Sequence, residues 1–233
     1  MRDYIILNDQ DSRDIQGLLI QSLPPITKPL MRTEIEEIDG RDGDIITDLG
    51  YAAYDRPVTI GLYGSYDIDA IIAFFNSTGT AVFSNESDKY YYYQIIEQID
   101  FEKLIRFRTA TINFHVQPFK YSTAEEIQVE SGEENSITVI NSGNYVAKPT
   151  ITIYGSGTIN LSLNGYQVFV INLGAEQAIT IDTANLEAYN NGVLKNRLVT
   201  GNYESFSLSV GENTITWTGN ITQISIENYS RWI

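Results

Sequence analysis

The sequence contains no cysteine and a single histidine, His115, among its 233 residues. Without cysteine, the chain can form neither a disulfide framework nor a thiolate metal site. One imidazole is too few for a histidine-rich metal centre, and no Gly-x-Ser-x-Gly turn presents a serine that could act with it. His115 alternates with apolar residues in INFHVQPF, so we expect it to be a structural or surface residue in mid-strand.

Other recognisable chemistry is missing as well. The sequence has neither a Gly-x-x-x-x-Gly-Lys phosphate loop nor a Gly-x-Gly-x-x-Gly fingerprint that opens a helix. The 30 acidic residues include many pairs that could serve glycoside hydrolysis, but nothing distinguishes one pair from the rest. We therefore predict no catalytic residue, no cofactor and no metal ligand. The protein is expected not to be an enzyme, and a small hydrolase with an acidic pair stays as a weaker alternative.

Positive charge is scarce: the chain has 15 Lys and Arg residues against 30 Asp and Glu residues, and its formal net charge is −15. Binding to duplex DNA needs clustered basic residues, which are absent, and an anionic membrane surface would repel the chain. No run approaches the ~20 apolar residues of a membrane span, and the apolar run Tyr4–Leu7 is too short for a signal peptide. We expect a soluble protein with no export signal, no membrane partner and no direct binding to DNA.

Period-two alternation is abundant. In RPVTIGLYG, the residues Val58, Ile60 and Leu62 share one face. Similar short runs recur about every ten residues from residue 136 onward, separated by turn signals such as Asn-Gly. This spacing is typical of an antiparallel β-sandwich. In YYYY, residues 90–93, the alternation predicts two tyrosines pointing inward and two outward. The fold class is therefore expected to be mainly β.

One segment, SYDIDAIIAFFNSTG, has helical spacing instead. Its apolar residues recur on one helix face at Ile68, Ile71, Ile72 and Phe75. Ser65 or Asp67 offers an N-cap, and Gly79 is expected to end the helix. Farther along, a polar and acidic stretch at residues 121–136 marks a seam. We predict a β-sandwich-like domain with this one short helix at residues 1–123, followed by an antiparallel β-sandwich at residues 124–233.

The fragment IEEIDGRDGDIITDLG, residues 35–50, is strongly acidic. A calcium loop needs a glycine after its third acidic position and a closing glutamate. Here no glycine follows Asp44, and no glutamate closes the loop. The two Asp-Gly pairs supply residues that accept positive φ in a tight turn, and Arg41 between them balances local charge. The fragment is therefore predicted to be a solvated hairpin.

Carbohydrate binding is an alternative that the sequence leaves open. Aromatic side chains on one face of a β-sandwich can stack on sugar rings. The candidates are Trp217, Tyr166, Tyr189 and Tyr203. The competing interpretation places them in the core or at an interface. Trp217 shares a strand face with Ile215, which favours burial.

Four stretches of the first 120 residues resemble the N-terminal domain of the distal tail protein (Dit) family of siphophages. In chain order they are LLIQSLPPITKP, IEEIDGRDGDI followed by RPVTIGL, IIAFFNSTGTAVFSNESDKYYYYQI, and ATINFHVQPFKYS. Two later stretches, ITVINSGNYVAKPTITIYGSGTINLSLNG and TGNYESFSLSVGENTITWTGN, resemble the galectin-like C-terminal domain of the same family. The resemblance covers nearly the whole chain, and it is carried by the order and spacing of these motifs.

The resemblance implies a structural hub of the phage tail tip or baseplate, located in the virion after synthesis in the host cytoplasm. The first domain would form a homohexameric ring through whose lumen DNA may pass, and the second would be a galectin-like β-sandwich. Implied partners are the tail tube protein and the tail-associated (Tal) protein, with receptor-binding proteins as a further candidate.

The same resemblance suggests an inter-subunit loop. Its residues would be Glu34, Glu36, Glu37, Asp39, Arg41, Asp42 and Asp44. The alternative function is a carbohydrate-binding module or adhesin of β-sandwich type. Such a module would act as a monomer that binds a polysaccharide, whereas the hub would assemble with copies of itself.

Overall fold

The computed structural model describes residues 2–75, 78–124, 127–131, 134–174, 177–227 and 230–233. By its internal contacts the chain divides into two units, Met1–Thr123 together with Ile233, and Ala124–Trp232. Strands dominate both units, which confirms the predicted mainly β fold class. The ring-forming and galectin-like characters of the two domains stay predictions.

The first unit is built on an antiparallel sheet. Its described strands are β1 (Ile5–Leu7), β2 (Gln10–Asp11), β3 (Leu18–Ser22), β4 (Met31–Glu37), β5 (Asp44–Tyr51), β6 (Tyr54–Leu62), β7 (Thr78–Phe83), β8 (Lys89–Gln94) and β9 (Thr109–Ser122). Seven of them form one sheet in the spatial order β2-β1-β7-β8-β9-β6-β3. The remaining two, β4 and β5, form a separate hairpin.

Aromatic side chains fill much of the core of this unit. The four tyrosines at residues 90–93 alternate as predicted, with Tyr91 and Tyr93 buried and the other two on the outer face. Tyr91 meets Phe83 edge-on at 5.6 Å between ring centroids, and Tyr93 meets Phe114 in the same way at 5.2 Å. Such edge-to-face pairs stabilise a core beyond the area that they bury.

The predicted helix is present as α1 (Ile68–Phe74). The carboxylate of Asp67 accepts hydrogen bonds from two backbone amides of the first turn, at 3.0 and 3.1 Å, and so provides the N-cap. The helix ends at Phe74, earlier than predicted, because Gly79 lies in β7 rather than at a helix terminus. Residues 76–77, which the prediction also included, lie outside the described residues.

A second helix, α2 (Phe101–Phe107), corrects the prediction of one helix. The apolar alternation of KLIRF, residues 103–107, favours a strand. In the structure Asp100 caps the helix by accepting a 2.8 Å hydrogen bond from the amide of Lys103, and Leu104 is buried. Arg108 ends the helix in a left-handed conformation with φ of 60°. The cap and the buried residue four positions later explain why this segment is helical.

The second unit is an antiparallel β structure of longer strands. Within the described part of this unit they are β10 (Ile127–Ser131), β11 (Ser136–Asn141), β12 (Thr150–Leu163), β13 (Tyr166–Asn172), β14 (Ala178–Asp182), β15 (Glu187–Asn190), β16 (Val193–Leu194), β17 (Val199–Gly201) and β18 (Gly211–Glu227). The long strands β12 and β18 pair with each other, and each also pairs with different strands along its two halves. This arrangement is consistent with a β-sandwich.

Glycines form the corner where these long strands change partners. The pairing of β12 with β18 shifts register between Ser156 and Asn160, next to Gly157, which has φ of 75°. On the facing strand, a Cβ at Gly219 would lie 2.4 Å from the carbonyl oxygen of Thr158, so only glycine fits. The GSGT sequence, residues 155–158, has the composition of a turn between two strands but forms a bend inside one continuous strand.

The core of the second unit is mainly aliphatic. Alternate residues of β12 and β18, such as Ile151, Ile153, Ile224 and Ile226, are fully buried. The period-two pattern thus gave the correct inward face for these strands. The helices of the described residues lack the length and hydrophobicity that a membrane-spanning helix requires.

Candidate functional site

The acidic fragment of the sequence forms a hairpin of its own. Within the described residues, β4 and β5 pair only with each other. Their register places Ile35 opposite Ile46 and Glu37 opposite Asp44. A two-stranded hairpin is only marginally stable in water by itself. A hairpin that stays outside the main sheet is therefore suited to contact another surface.

An apolar patch occupies the middle of this hairpin. Ile35 and Ile46 are 58% and 62% exposed. Directly opposite residues of an antiparallel pair point to the same face, so the two side chains form one patch. Removing such side chains from water is favourable by about 25 cal/mol per Å² of apolar surface. The patch is thus a surface that association with a partner would stabilise.

Acidic side chains lie beside the apolar patch. Glu37 and Asp44 form the next cross-strand pair on the same face, and like charges directly opposite each other are destabilising. Residues 31–51 contain seven acidic and two basic side chains. In the described part of the chain, no carboxylate of the hairpin takes part in an ion pair. A cationic partner would relieve this repulsion.

The tip of the hairpin is the turn at residues 38–43. Gly40 and Gly43 have φ of 81° and 77°, as the two Asp-Gly pairs predicted. The amide of Arg41 donates a 3.1 Å hydrogen bond to the carbonyl of Ile38 and closes the turn. No group of three or more potential metal-ligating side chains occurs in the parts of the chain that the structure describes.

The base of the hairpin is fixed to the first unit. The ring of Tyr51 meets the ring of Phe119 edge-on at 6.0 Å, and Lys28 lies 5.8 Å from the Tyr51 centroid. The amide of Ala52 donates a 2.8 Å hydrogen bond to the carbonyl of Leu30. The hairpin is therefore held at one end, while its apolar and acidic side chains remain exposed.

All seven residues predicted for an inter-subunit loop lie in this hairpin. Every one of them is exposed: Glu34, Glu36, Glu37, Asp39, Arg41, Asp42 and Asp44. The structure thus places them together on one projecting element. Their role at a subunit boundary stays a prediction.

His115 lies in the middle of β9, as predicted. Its Nδ1 is 2.8 Å from a carboxylate oxygen of Asp55, the residue opposite it on β6. Both side chains are partly exposed, at 34% and 60%. The pair is a cross-strand surface contact.

The aromatic residues considered for sugar stacking differ in exposure. Trp217 is only 3% exposed and belongs to the core of the second unit, so it is not available to stack on a ligand. The ring of Tyr203 packs at 5.2 Å from Phe169. Tyr166 is 79% exposed, and Tyr189 is partly exposed on β15. The burial of Trp217 agrees with the apolar strand face that it shares with Ile215.

Sequence reasoning missed a buried cluster of charges in the first unit. Glu86 lies between two cations, with its carboxylate oxygens 3.1 Å from Arg56 Nη1 and 2.8 Å from Lys120 Nζ. The hydroxyl of Tyr91 donates a hydrogen bond to the same carboxylate and is contacted by Arg56. All four side chains are buried, and Arg56 is only 1% exposed. The cluster is closed to solvent, so it has a structural role.

This cluster holds two cations against one carboxylate. The guanidinium of Arg56 lies 4.6 Å from the ring centroid of Phe83 and 4.5 Å from that of Tyr91. Its Nε and Nη2 have no hydrogen-bond partner among the residues described. The faces of the two aromatic rings therefore stabilise the surplus positive charge.

The environment of the cluster shifts two pKa values. Burial alone would raise the pKa of Glu86, but hydrogen bonds from Lys120, Tyr91 and Arg56 together lower it below its ordinary value. Burial, and then the hydrogen bond to Glu86, raise the pKa of Tyr91. Glu86 is thus held as a carboxylate and Tyr91 as a neutral phenol.

A signal for this cluster was present in the strand pattern. Arg56 is in phase with the inward-facing Val58, and Lys120 is in phase with the inward-facing Phe114 and Val116. Strict alternation would have placed both cations inside. Because Lys and Arg usually lie at the surface, this pattern alone did not lead to a prediction of buried cations.

Comparisons with known proteins support the fold. No family model matches the chain, and no curated protein matches it. The crystal structure of the SPP1 Dit (gp 19.1) protein, described as a paradigm of the hub adsorption apparatus in Gram-positive infecting phages, has a TM-score of 0.71 to this chain. This match has 17% identity and covers 100% of both chains.

Two chains of phage baseplates are also similar. A chain of the phage P2 baseplate in its activated conformation with Ca gives a TM-score of 0.50 at 9% identity, covering 100% of this chain and 98% of that chain. A chain of the phage p2 baseplate with Sr gives 0.51 at 9% identity, covering 97% of each. This chain therefore has the fold of the phage Dit hub protein, as its sequence motifs indicated.

Proposed function

We propose that this chain is a distal tail hub protein of a siphophage baseplate, with a structural role and no enzymatic one. The observation that carries the proposal is the match to the SPP1 Dit protein over 100% of both chains. A shared fold alone does not fix a function. The exposed hairpin adds an independent argument, because it presents apolar and acidic groups suited to a protein partner.

The proposed assembly is a homohexameric ring formed by the first unit. A ring requires a heterologous contact, in which one surface of a copy meets a different surface of the next. The projecting hairpin provides one such surface. The proposed partners above and below the ring are the tail tube protein and the Tal protein, with receptor-binding proteins as candidates for the second unit. The proposed location is the virion.

The net charge of −15 fits this role. At physiological salt the electrostatic screening length is about 8 Å, so acidic side chains on the wall of a narrow lumen would still repel the phosphates of DNA. DNA would then pass through the ring without adhering to its wall. Acidic side chains on lumen-facing positions are expected, and a basic lumen in an image of the assembled ring would contradict this part of the proposal.

Light scattering on the purified protein tests the assembly. A concentration series is needed, because association depends on protomer concentration. The expected species has six times the chain mass of 26.2 kDa, and negative-stain images should show a six-fold annulus. A strict monomer that binds a polysaccharide would instead support the carbohydrate-binding alternative. A monomer with measurable glycoside turnover would support the hydrolase.

Arg41→Ala tests the hairpin specifically. Arg41 is exposed at the hairpin tip, so its loss should change the melting temperature of the monomer little. If the tip contacts the next copy, the same substitution should weaken assembly. Arg197→Ala, at an exposed position of the second unit, is the matched control and should leave assembly unchanged. Added calcium should alter neither assembly nor melting. A calcium-dependent rise in melting temperature would revive the metal-loop interpretation.

A further inference from the structure

The exposed side of α2 presents cations beside an aromatic ring. Lys103, Arg106 and Phe107 are three and four residues apart, so they lie on one side of the helix. They line a shallow hollow of about 220 Å³ together with Asp100 and Glu102. The opposite side of the helix packs on β9 and β6 of its own unit. The hollow therefore faces outward.

These side chains have few partners within the chain. Among the described residues, neither Lys103 nor Arg106 takes part in an ion pair. Phe107 is 60% exposed, with the guanidinium of Arg106 at 5.4 Å from its ring centroid. Asp100 accepts a hydrogen bond from the helix terminus, so its charge is already stabilised there. Glu102 also lines the hollow, so the surface carries charges of both signs. Its two cations beside the exposed ring of Phe107 are the groups that an acidic and apolar partner could contact.

The hairpin carries the complementary pattern. On one face of it, the apolar pair Ile35 and Ile46 adjoins the acidic pair Glu37 and Asp44. Residues two apart on a strand are separated by about 7 Å, and one helical turn rises about 5.4 Å. These spacings are similar. The ring of Phe107 could therefore cover the two isoleucines while the neighbouring cations reach the two carboxylates.

We propose that α2 of one copy is the receptor for the β4–β5 hairpin of the next copy. This proposal rests on the proposed function, because it takes a second copy of the chain as the occupant. Charge complementarity between the hairpin carboxylates and the two cations of α2 supports that choice, since those carboxylates make no ion pair among the residues described. The helix and the hairpin are different surfaces, so the contact is heterologous and repeats from copy to copy around a ring.

Charge reversal on the two surfaces tests the contact. Lys103→Glu/Arg106→Glu should add two acidic groups to a hollow that already contains Asp100 and Glu102, facing Glu37 and Asp44 of the hairpin, and raise the dissociation constant of the assembly by at least about a hundredfold. Glu37→Lys/Asp44→Lys should have a similar effect from the other side. Combining all four substitutions should restore assembly. Rescue of this kind requires that the two surfaces meet, because two structural defects would not cancel.

A matched control uses cations of the second unit. Lys195→Glu/Arg197→Glu changes the charge by the same amount at a different hollow, lined by residues 194–198. This variant should assemble like the wild type. If it dissociates while the α2 variant assembles, the receptor is not α2. The melting temperature of each variant checks its folding, and Lys103→Gln/Arg106→Gln is a milder substitution that should weaken assembly in the same direction.

The two proposals fail in different ways. If the wild type assembles and the α2 variants assemble equally well, the receptor proposal is wrong and the hub proposal stands. The same holds if both charge reversals dissociate the ring but their combination does not restore it. If the wild type is a monomer at every concentration, the proposed ring falls, and the receptor proposal falls with it.

Discussion

The cores of the two units differ in chemistry. The second core is mainly aliphatic, and in the described part of this unit the buried polar side chains carry no charge: Asn141, Thr183, Asn213 and Ser230. The first core is rich in aromatic rings and encloses three charged groups, Arg56, Glu86 and Lys120. Among the described residues, both units bury polar groups, but the buried ion pairs lie in the first unit.

This difference determines how each core responds to the loss of one partner. In the second unit, the amide of Asn213 accepts from the backbone of Ser209 at 3.0 Å and donates to carbonyls of Ser209 and Gly211 at 2.7 and 3.0 Å. Nearby backbone groups therefore provide the hydrogen-bond partners that this neutral amide needs. A carboxylate between two cations needs all of its partners, because an unpaired charge is far costlier to bury than an unpaired amide. The first unit should therefore be the more sensitive to single substitutions.

The largest effect is expected for Glu86→Ala. The substitution leaves Arg56 and Lys120 buried without a counter-ion, which should lower the free energy of unfolding of the first unit by about 3–5 kcal/mol. Denaturant titration, followed by probes in each unit, measures this change. The transition of the second unit should not move. Glu97→Ala, which removes an exposed carboxylate bonded to Asn113, is the control and should have little effect.

A triple variant separates the cost of unpaired charge from the contribution of the cluster. Replacement of Arg56, Glu86 and Lys120 by apolar residues of similar volume removes every charge at once. By analogy with other buried ion pairs, stability should be unchanged or raised by about 1–4 kcal/mol. A loss as large as that of Glu86→Ala would show that the cluster itself stabilises the fold.

Much of this fold was predictable from the sequence because most strands alternate strictly. Residues 90–93 and the run from Val58 to Leu62 point as expected, since one face of each strand is buried. Of the two predicted N-cap candidates, Ser65 and Asp67, the structure has Asp67, whose carboxylate accepts hydrogen bonds from free amides of the first turn. The hairpin turn was predictable from its two Asp-Gly pairs.

Three features were not predicted, each for a physical reason. The helix α2 is a short apolar run whose pattern fits strand and helix alike. The corner at Gly157 is a bend within a strand. Glycines with positive φ occur both in such bends and in turns between strands, so the sequence does not distinguish the two. The partners of Glu86 are distant in sequence, so no local pattern reports that Arg56 and Lys120 meet there. The hairpin residues were predicted, but their register and isolation needed the structure.

A moderate effect is expected for Asn213→Ala in the second unit. The substitution leaves buried backbone groups of Ser209 and Gly211 without partners, which should cost about 1–3 kcal/mol. The loss should be independent of pH, because no titrating group is involved. Denaturant titration at neutral and mildly acidic pH checks both statements. A loss larger than that of Glu86→Ala would contradict the proposed difference between the two cores.

A smaller effect is expected from acid. The pKa of Glu86 is lowered because the hydrogen bonds to it outweigh the opposing effect of burial. A lowered folded-state pKa gives stability that is present above the unfolded-state pKa and is lost as the pH falls through the folded-state value. Because burial opposes the hydrogen bonds, the net lowering of the Glu86 pKa reflects only part of the stabilisation that those hydrogen bonds provide. The first unit should lose stability before the second in an acid titration, and Glu86→Gln should reduce that difference.

The smallest effect is expected for the pair of Asp55 and His115, which is next to the buried cluster on the same two strands. In register, Asp55 faces His115 while the adjacent Arg56 faces Phe114, so neighbouring positions place one charge outside and one inside. Because the outer pair is partly exposed, its coupling in a double-mutant cycle with alanine should be below about 1 kcal/mol. High salt should weaken it further. A coupling as large as the effect of Glu86→Ala would mean that strand position, and not burial, sets the contribution of a charge in this unit.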